Sequence, residues 1–487
     1  MTNITNKIFL LLCIFISINT FAQPIRFSHV LGSDGYDDGY SAKQTFDKGY
    51  IVGGSTSSFG AGATDMYLLK TDPHGNPVRQ RTIGGINIDI GKCVRQTADS
   101  GYIMVGYTNS FGTGGYDVYL VKTDSLLDTL WTHTYGGFNW DFGNCVEQTT
   151  DGGYIICGST FSFGNTGEDY YLLKTDANGT EQWAQSYGGA NDDVANSVIQ
   201  TSDGGYILTG TTKSMGDLNG DIYTIKTNAI GDTIWTNKFG GPNLDYGNDV
   251  LESIYGGYMV GAETQNYGLG TLGNSDGVIV RLSSSGHVDS IKVTGVPGND
   301  NIQSITEDVL GRIAMTGKHP FLNGSTSLFL IYNNWYYVNG TQFGFNNYEM
   351  GYSVETTADT GFVICGYTTS FNNFIDDIYL IKTDSFAVGG GADVLAALNI
   401  QTLYPTQNSD FKIFPNPASD FVTIYSEKIN ESATIKIFDV LGNELKSNKT
   451  EQKIDVSINV SDLANGIYFI TISTKSISVS QKLIIQH

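Results

Sequence analysis

The sequence predicts an all-β protein: a seven-bladed β-propeller of four-stranded blades followed by a small Ig-like β-sandwich. Three observations carry this. A Gly-Tyr pair recurs at a constant step of 52 residues, each unit divides into four short segments of strand-forming residues, and the last part of the chain changes to a denser strand pattern. Composition agrees, since Gly supplies 60 of 487 residues, aromatics 12% and charged residues only 16%. That balance suits short strands joined by tight turns and not long amphipathic helices.

At the start of the chain, Lys7 precedes an apolar run over residues 8–18, and the small-residue site Thr20-Phe21-Ala22 follows. Residues 1–22 therefore read as a secretory signal peptide, which leaves no membrane span in the mature chain. The repeats begin next. Tyr50, Tyr102, Tyr154, Tyr206 and Tyr258 are evenly spaced, and looser copies stand at Arg312 and Phe362, giving seven units and a propeller over 23–386.

The third unit shows the plan, with strands expected at 141–149, 153–160, 169–176 and 181–188, separated by Asp-Gly-Gly or Asn-Gly turns. Such a sheet cannot bury both faces alone, so it must lean on its neighbours. Residues 25–32 align with the outermost strand of the other units, while the seventh unit stops after its third strand; the N-terminal segment is expected to complete the last blade. Residues 101–108 and 117–124 carry a likeness to the bacterial β-propeller repeat family, which implies a fold and no particular chemistry. The sixth unit departs from it most, with Tyr332 where the others have Lys or Arg.

A Gly-rich stretch opens a linker over 387–410, and 411–487 carries short alternating strands that read as a sandwich. Here Pro415, Asn416 and Pro417, the turn ending in Gly442, the run holding Gly466 and Tyr468, and a last strand holding Lys482 resemble the type A C-terminal sorting domain of the type IX secretion system of Bacteroidetes. The resemblance implies the type IX machinery as a partner through 411–487. It also implies an extracellular or outer-membrane-surface location, the tail being removed or exchanged for an anchor.

Charge narrows the partners. The tail has 8 Lys and 8 acids, so the formal −22 belongs to the part before it. An acidic surface repels phosphate backbones and anionic membranes, which excludes nucleic acid and leaves cations, glycans and proteins. The cysteines at 93, 145, 157 and 365 lie in expected strands, without zinc-site spacing, and read as buried thiols. The six His are scattered, with no triad or metal spacing.

One carboxylate opens the first strand of every unit: Asp37, Asp89, Asp141, Asp193, Asp245, Asp300 and Glu349. These seven are expected to ring one mouth of the central channel. They serve either as turn acceptors for backbone N–H groups or as a Ca²⁺ site, although no cofactor is required. A second acid, at 65, 117, 169, 221, 276 and 377, is followed five residues later by Lys or Arg, a spacing that suggests pairing between blades. Loops on the channel-mouth side carry Tyr36, Phe59, Phe111, Trp140, Phe163, Tyr267 and Phe371, a candidate ligand face for a glycan or protein. The Phe residues would otherwise pack between blades, whereas Trp140 breaks the repeat. The expectation is a non-catalytic secreted binding protein. The alternatives are a glycan-active hydrolase or lyase using acids on that face, and a structural surface or matrix component.

Overall fold

The computed structural model describes residues 24–487 except 217, 266–274, 295–298, 322–323, 334–335, 345–346, 373–374, 390–391, 395–411, 427–431, 439–443, 451–454 and 475–477. The signal segment and the turn ending in Gly442 lie outside the described residues. Two compact units emerge, Met1–Ala396 and Ala397–His487. Every regular element among the described residues is a strand.

Among the described residues, six sheets of the first unit are four-stranded antiparallel meanders in chain order. The third sheet, for example, runs Asp141–Gln148, Tyr154–Thr160, Asp169–Thr175 and Glu181–Tyr187. Its two middle strands are buried at every position, while the last has no fully buried residue. Burial on both faces explains why the middle strands read as continuous runs such as Tyr-Ile-Ile-Cys, without polar alternation. Neighbouring sheets cover those faces. Trp131 of the second sheet lies 6.0 Å from Tyr154 of the third, and Trp183 lies 5.9 Å from Tyr206 of the fourth. Each fully buried Ile or Leu contributes about 1.5–3 kcal/mol, so these shared interfaces hold sheets that would not stand singly.

Six sheets are complete from consecutive strands, and the seventh is finished by the N-terminal segment. Phe27–Leu31 pairs antiparallel with the third strand of that sheet, Val30 opposite Tyr379 and Phe27 opposite Lys382. The expected linker does not begin at 387. Ala387 is fully buried, and Ala392–Val394 adds a fifth strand, parallel to Phe27–Leu31. An edge strand needs only backbone hydrogen bonds, so a Gly-rich approach does not prevent it.

The buried lysines correct the expected pairing between blades. Lys122, Lys174, Lys226 and Lys382 do not meet the acid five residues earlier or an acid of the next sheet. Each instead pairs with the acid of its own sheet's first turn, Asp99, Asp151, Asp203 and Asp359, at 2.9–3.0 Å. The five-residue spacing puts acid and base at opposite ends of one strand. The ammonium therefore reaches the turn at its own end, where it also donates to a strand-end carbonyl such as Thr175 O.

In the second unit, Lys412–Phe414, Phe421–Tyr425 and Asp455–Asn459 form one sheet. Glu444–Thr450, Ala433–Phe438, Gly466–Ser473 and Ser478–Ile485 form another, in the spatial order given. Ala433–Phe438 alternates buried and half-buried, and Ile435, Ile437, Val422 and Leu483 share one core.

Candidate functional site

The first strands of all seven sheets line one central cavity of about 400 Å³. In six of them the register shifts between the second residue after the opening acid and the fourth, as at Gly39/Ser41 and Gly143/Cys145. Such a bulge leaves the third residue outside the ladder and re-aims it, so two successive side chains per strand reach the cavity wall.

The fourth residue after each acid forms a girdle in which every sheet touches the next. Ser41 donates to Val94 O at 3.4 Å, and the Cys93 and Cys145 thiols approach Val146 O and Val198 O, each at 3.7 Å. Ser197 donates to Asp249 at 2.8 Å, and Asp249 in turn accepts from Ser304 Oγ and Ile305 N–H. Val354 N–H donates to Ser304 Oγ, and Ala42 N–H to Ser353 Oγ at 3.4 Å, which joins the seventh sheet to the first. The four cysteines are free and buried, with the Cys93 and Cys145 sulfurs 3.7 Å apart.

Six of the opening acids begin the first strands of their sheets, as the sequence puts them, and accept hydrogen bonds from neighbouring turns, whereas Asp300 precedes its strand, Ser304–Glu307. Asp37, Asp89, Asp141, Asp193, Asp245, Asp300 and Glu349 are all buried. Asp141 accepts from Thr160 Oγ1, from Ser162 Oγ at 2.7 Å and from Gly137 N–H at 2.8 Å. Asp37 and Asp89 are bound by the equivalent Thr, Ser and backbone groups. Asp193 and Asp245 receive the backbone N–H of Gly189 and Gly241, and Glu349 receives Thr368 and Ser370. The local donors outcompete the channel because they are fixed by the turn itself. Among the described residues no three His, Cys, Asp or Glu side chains are grouped to hold a metal ion.

The second acids are buried beside the first ones. A methyl added at Gly188 would lie 2.0 Å from Asp169 Oδ1 and 2.5 Å from Asp193 Oδ2, so this glycine is the spacer between two carboxylates of adjacent sheets. Burial, with Asp141 adding to it against the Thr113 N–H bond, holds Asp117 up at about 6.

The candidate ligand face is split. Phe59, Phe111 and Phe163 lie against Tyr67, Tyr119 and Tyr171 of their own sheets at 5.5–6.0 Å. Each ring thus lies on a tyrosine of its own sheet, and Phe59 also packs against the core shared by the first and seventh sheets. Tyr36 is exposed. Tyr267 lies outside the described residues, as does the side chain of Phe371. Trp140, 53% exposed, joins a cluster with Tyr116, Phe142 and Phe161 at 6.0–6.4 Å, to which Tyr107 adds its ring.

A second constellation was not singled out in the sequence. At the bulged position, Asn144, Asn196 and Asn248 each donate to a carbonyl of the next sheet at 2.8–2.9 Å, a structural task. The seventh, first and second sheets carry Tyr352, Tyr40 and Lys92 there instead. The Tyr40 and Tyr352 rings are 5.0 Å apart, Tyr367 continues the row at 5.8 Å, and Lys92 Nζ stands 4.0 Å over the Tyr40 ring. Tyr40 Oη donates to Asp38 at 3.3 Å. Burial, with Asp376 nearby, pushes Asp38 up to about 6 despite Tyr40 and Lys92; burial also raises Asp376 and lowers Lys92. All six residues are half-buried. Aligning the units by position gives the signal for this set, because Asp38 is the only acid at its place and the amide column breaks only in this arc.

Fold and tail together define the class: a propeller-like repeat protein with an export domain. Residues 412–486 match the secretion system C-terminal sorting domain, and this marks the chain as cargo of the type IX secretion system, bound for the cell surface or beyond. Within that domain the exposed Pro415-Asn416-Pro417 turn is tied to the last strand, where Asn416 Oδ1 accepts the Ile484 N–H, and Tyr468 Oη donates to Ala464 O. Gly466 and Lys482 lie in the third and fourth strands of the larger sheet.

Among curated proteins the chain is similar to an endo-acting ulvan lyase of Formosa agariphila, 36% identical over 88 residues, 17% of each chain. It is also similar to the regulatory protein FlaEY of Caulobacter vibrioides, 26% identical over 198 residues, 36% of this chain and 20% of that one. The chain thus spans a fifth or less of the length of these relatives. Similar solved structures include Sqt1 from Chaetomium thermophilum, with a TM-score of 0.43 at 12% identity over 76% of this chain and 86% of that one. Another is YCF48 bound to a D1 peptide, with a TM-score of 0.44 at 9% identity over 76% and 98%. No helix among the described residues is long and apolar enough to cross a membrane.

Proposed function

We propose that this is a secreted, seven-bladed β-propeller with an Ig-like sorting sandwich, which binds a glycan or protein ligand without turning it over. The binding face is the channel mouth across the seventh, first and second sheets. One observation carries the reading. The structural amide column of the cavity wall gives way in one continuous arc to half-exposed Tyr40, Lys92 and Tyr352, which present ring faces and an ammonium in place of amides. Aromatic faces beside carboxylates suit stacking and polar recognition.

A second reading, a hydrolase or lyase, is favoured by Asp38, held near 6 with Asp376 beside it; carboxyls in unlike environments can divide acid and base roles. Incubating the exported protein with polysaccharide and protein panels tests both. Saturable binding without product, lost in Tyr352→Ala, is expected. Sustained product release would replace the first reading by the second, and no binding to any panel member would leave a structural surface component.

A further inference from the structure

The arc at the channel mouth carries more than an aromatic shelf, because it already holds a cation. Lys92 reaches from the second sheet so that its ammonium lies 4.0 Å over the ring of Tyr40, a residue of the first. This is the geometry in which a ring quadrupole attracts a cation. The Tyr40 hydroxyl is turned to Asp38 at 3.3 Å, so ring face and carboxylate are presented together. Tyr352 and Tyr367 extend the same aromatic row by 5.0 and 5.8 Å steps, and Lys92 occupies only its first ring. Asp38 lies beside Lys92, with Asp376 next to Asp38, on a chain whose formal net charge is −22.

We infer that this shelf recognises the ammonium group of a lysine side chain presented by a partner protein, and that Lys92 is a tethered competitor holding the site in the partner's absence. Lys92 itself is the template, since a four-carbon stem ending in an ammonium is what the shelf already accommodates. The incoming ammonium meets the Tyr352 and Tyr367 faces and the Asp38 and Asp376 carboxylates, and either shares the Tyr40 ring with Lys92 or displaces it. The inference rests on the binding reading above and narrows it to a protein ligand bearing an exposed lysine.

The experiment is a calorimetric titration of the exported protein with an acetylated, amidated lysine peptide. Parallel titrations use its norleucine analogue, a glucosamine oligomer and a neutral glucose oligomer. Binding of the lysine peptide at least tenfold tighter than norleucine is expected. Lys92→Met should tighten it by about threefold, the reverse of an ordinary site deletion, because a competing cation–π contact of about 0.5–1 kcal/mol is removed. Asp38→Asn should weaken it by about tenfold or more, with folding of both variants checked by thermal melting. The unmodified protein alone already decides between lysine and norleucine. Equal binding of the two peptides, weaker binding in Lys92→Met, or tighter binding of the glucosamine oligomer would overturn the inference. If only the neutral oligomer binds, the inference fails while the binding reading stands; if nothing binds, the inference fails and the polysaccharide and protein panels decide the binding reading.

Discussion

Replacing Asp151 by Asn isolates one ion pair that recurs around the ring. Lys174 has a side chain only 4% exposed, while that of its partner Asp151 is 56% exposed. Burial opposes the charge on Asp151, yet hydrogen bonds from Thr149, Lys174 and the Gly153 N–H hold its carboxyl down at about 2. Losing the carboxylate leaves a buried ammonium with neutral acceptors alone: the Asn amide oxygen, Thr175 O and Gln182 Oε1. Breaking a buried pair from one side costs about 3–5 kcal/mol, and water reaching the exposed acid end lowers that to about 3 kcal/mol. With an unfolding entropy of about 2.1 cal/mol/K per residue over roughly 370 residues, the loss corresponds to a drop of about 4 °C in Tm.

Lys174→Met leaves only a solvated acid behind and should cost about 1 kcal/mol, since exposed charges lose little when unpaired. The double variant should lie close to Lys174→Met alone. Calorimetric melting of the four proteins measures the cycle. A larger loss for Lys174→Met than for Asp151→Asn would refute the argument that burial of the lysine sets the cost.

Three further outcomes are expected. Burial raises the Asp38 and Asp117 carboxyls to about 6, so their contribution is full below about 3.8 and is lost as pH climbs through 6, whereas that of Asp99, Asp151 and Asp203, held near 2, is lost as pH falls through 2. A Tm profile should therefore peak near pH 4 and decline towards pH 7, and a rise over that interval would contradict it. Gly188→Ala forces a methyl against Asp169 and Asp193 and should cost about 3 kcal/mol, against about 1 kcal/mol for Gly152→Ala, where only the positive φ of 84° resists; equal denaturant midpoints would count against the carboxylate pair. Deleting 411–487 should leave a folded propeller that stays inside the outer membrane, as read by fractionation and protease accessibility.

Strand positions were legible because burial on both faces writes itself into the sequence as unbroken apolar runs such as 154–157, and because Asp-Gly-Gly turns punctuate them. The closing strand was legible for the same reason, since residues 25–32 repeat an outer-strand pattern. The strand Ala392–Val394 was not: it has no apolar signature and depends on backbone bonds to a neighbour far away in sequence. In the site, periodicity drew attention to the repeated acids, six of which accept hydrogen bonds from neighbouring turns. The shelf of Tyr40, Lys92 and Tyr352 depends on a one-residue register shift that strand periodicity does not encode, so it is visible only as an interruption when the units are set side by side.

The seam of the seventh sheet imposes an order on biogenesis. The segment at Phe27–Leu31 is made some 350 residues before its partner at Ile378–Lys382, so the circle cannot lock until nearly the whole unit has been delivered. Once locked, Ala392–Val394 lies along the outer margin of that seam. A protease trimming the tail beyond 394 would spare this margin, whereas a cut before 392 would strip it and offer a raw strand edge to other chains.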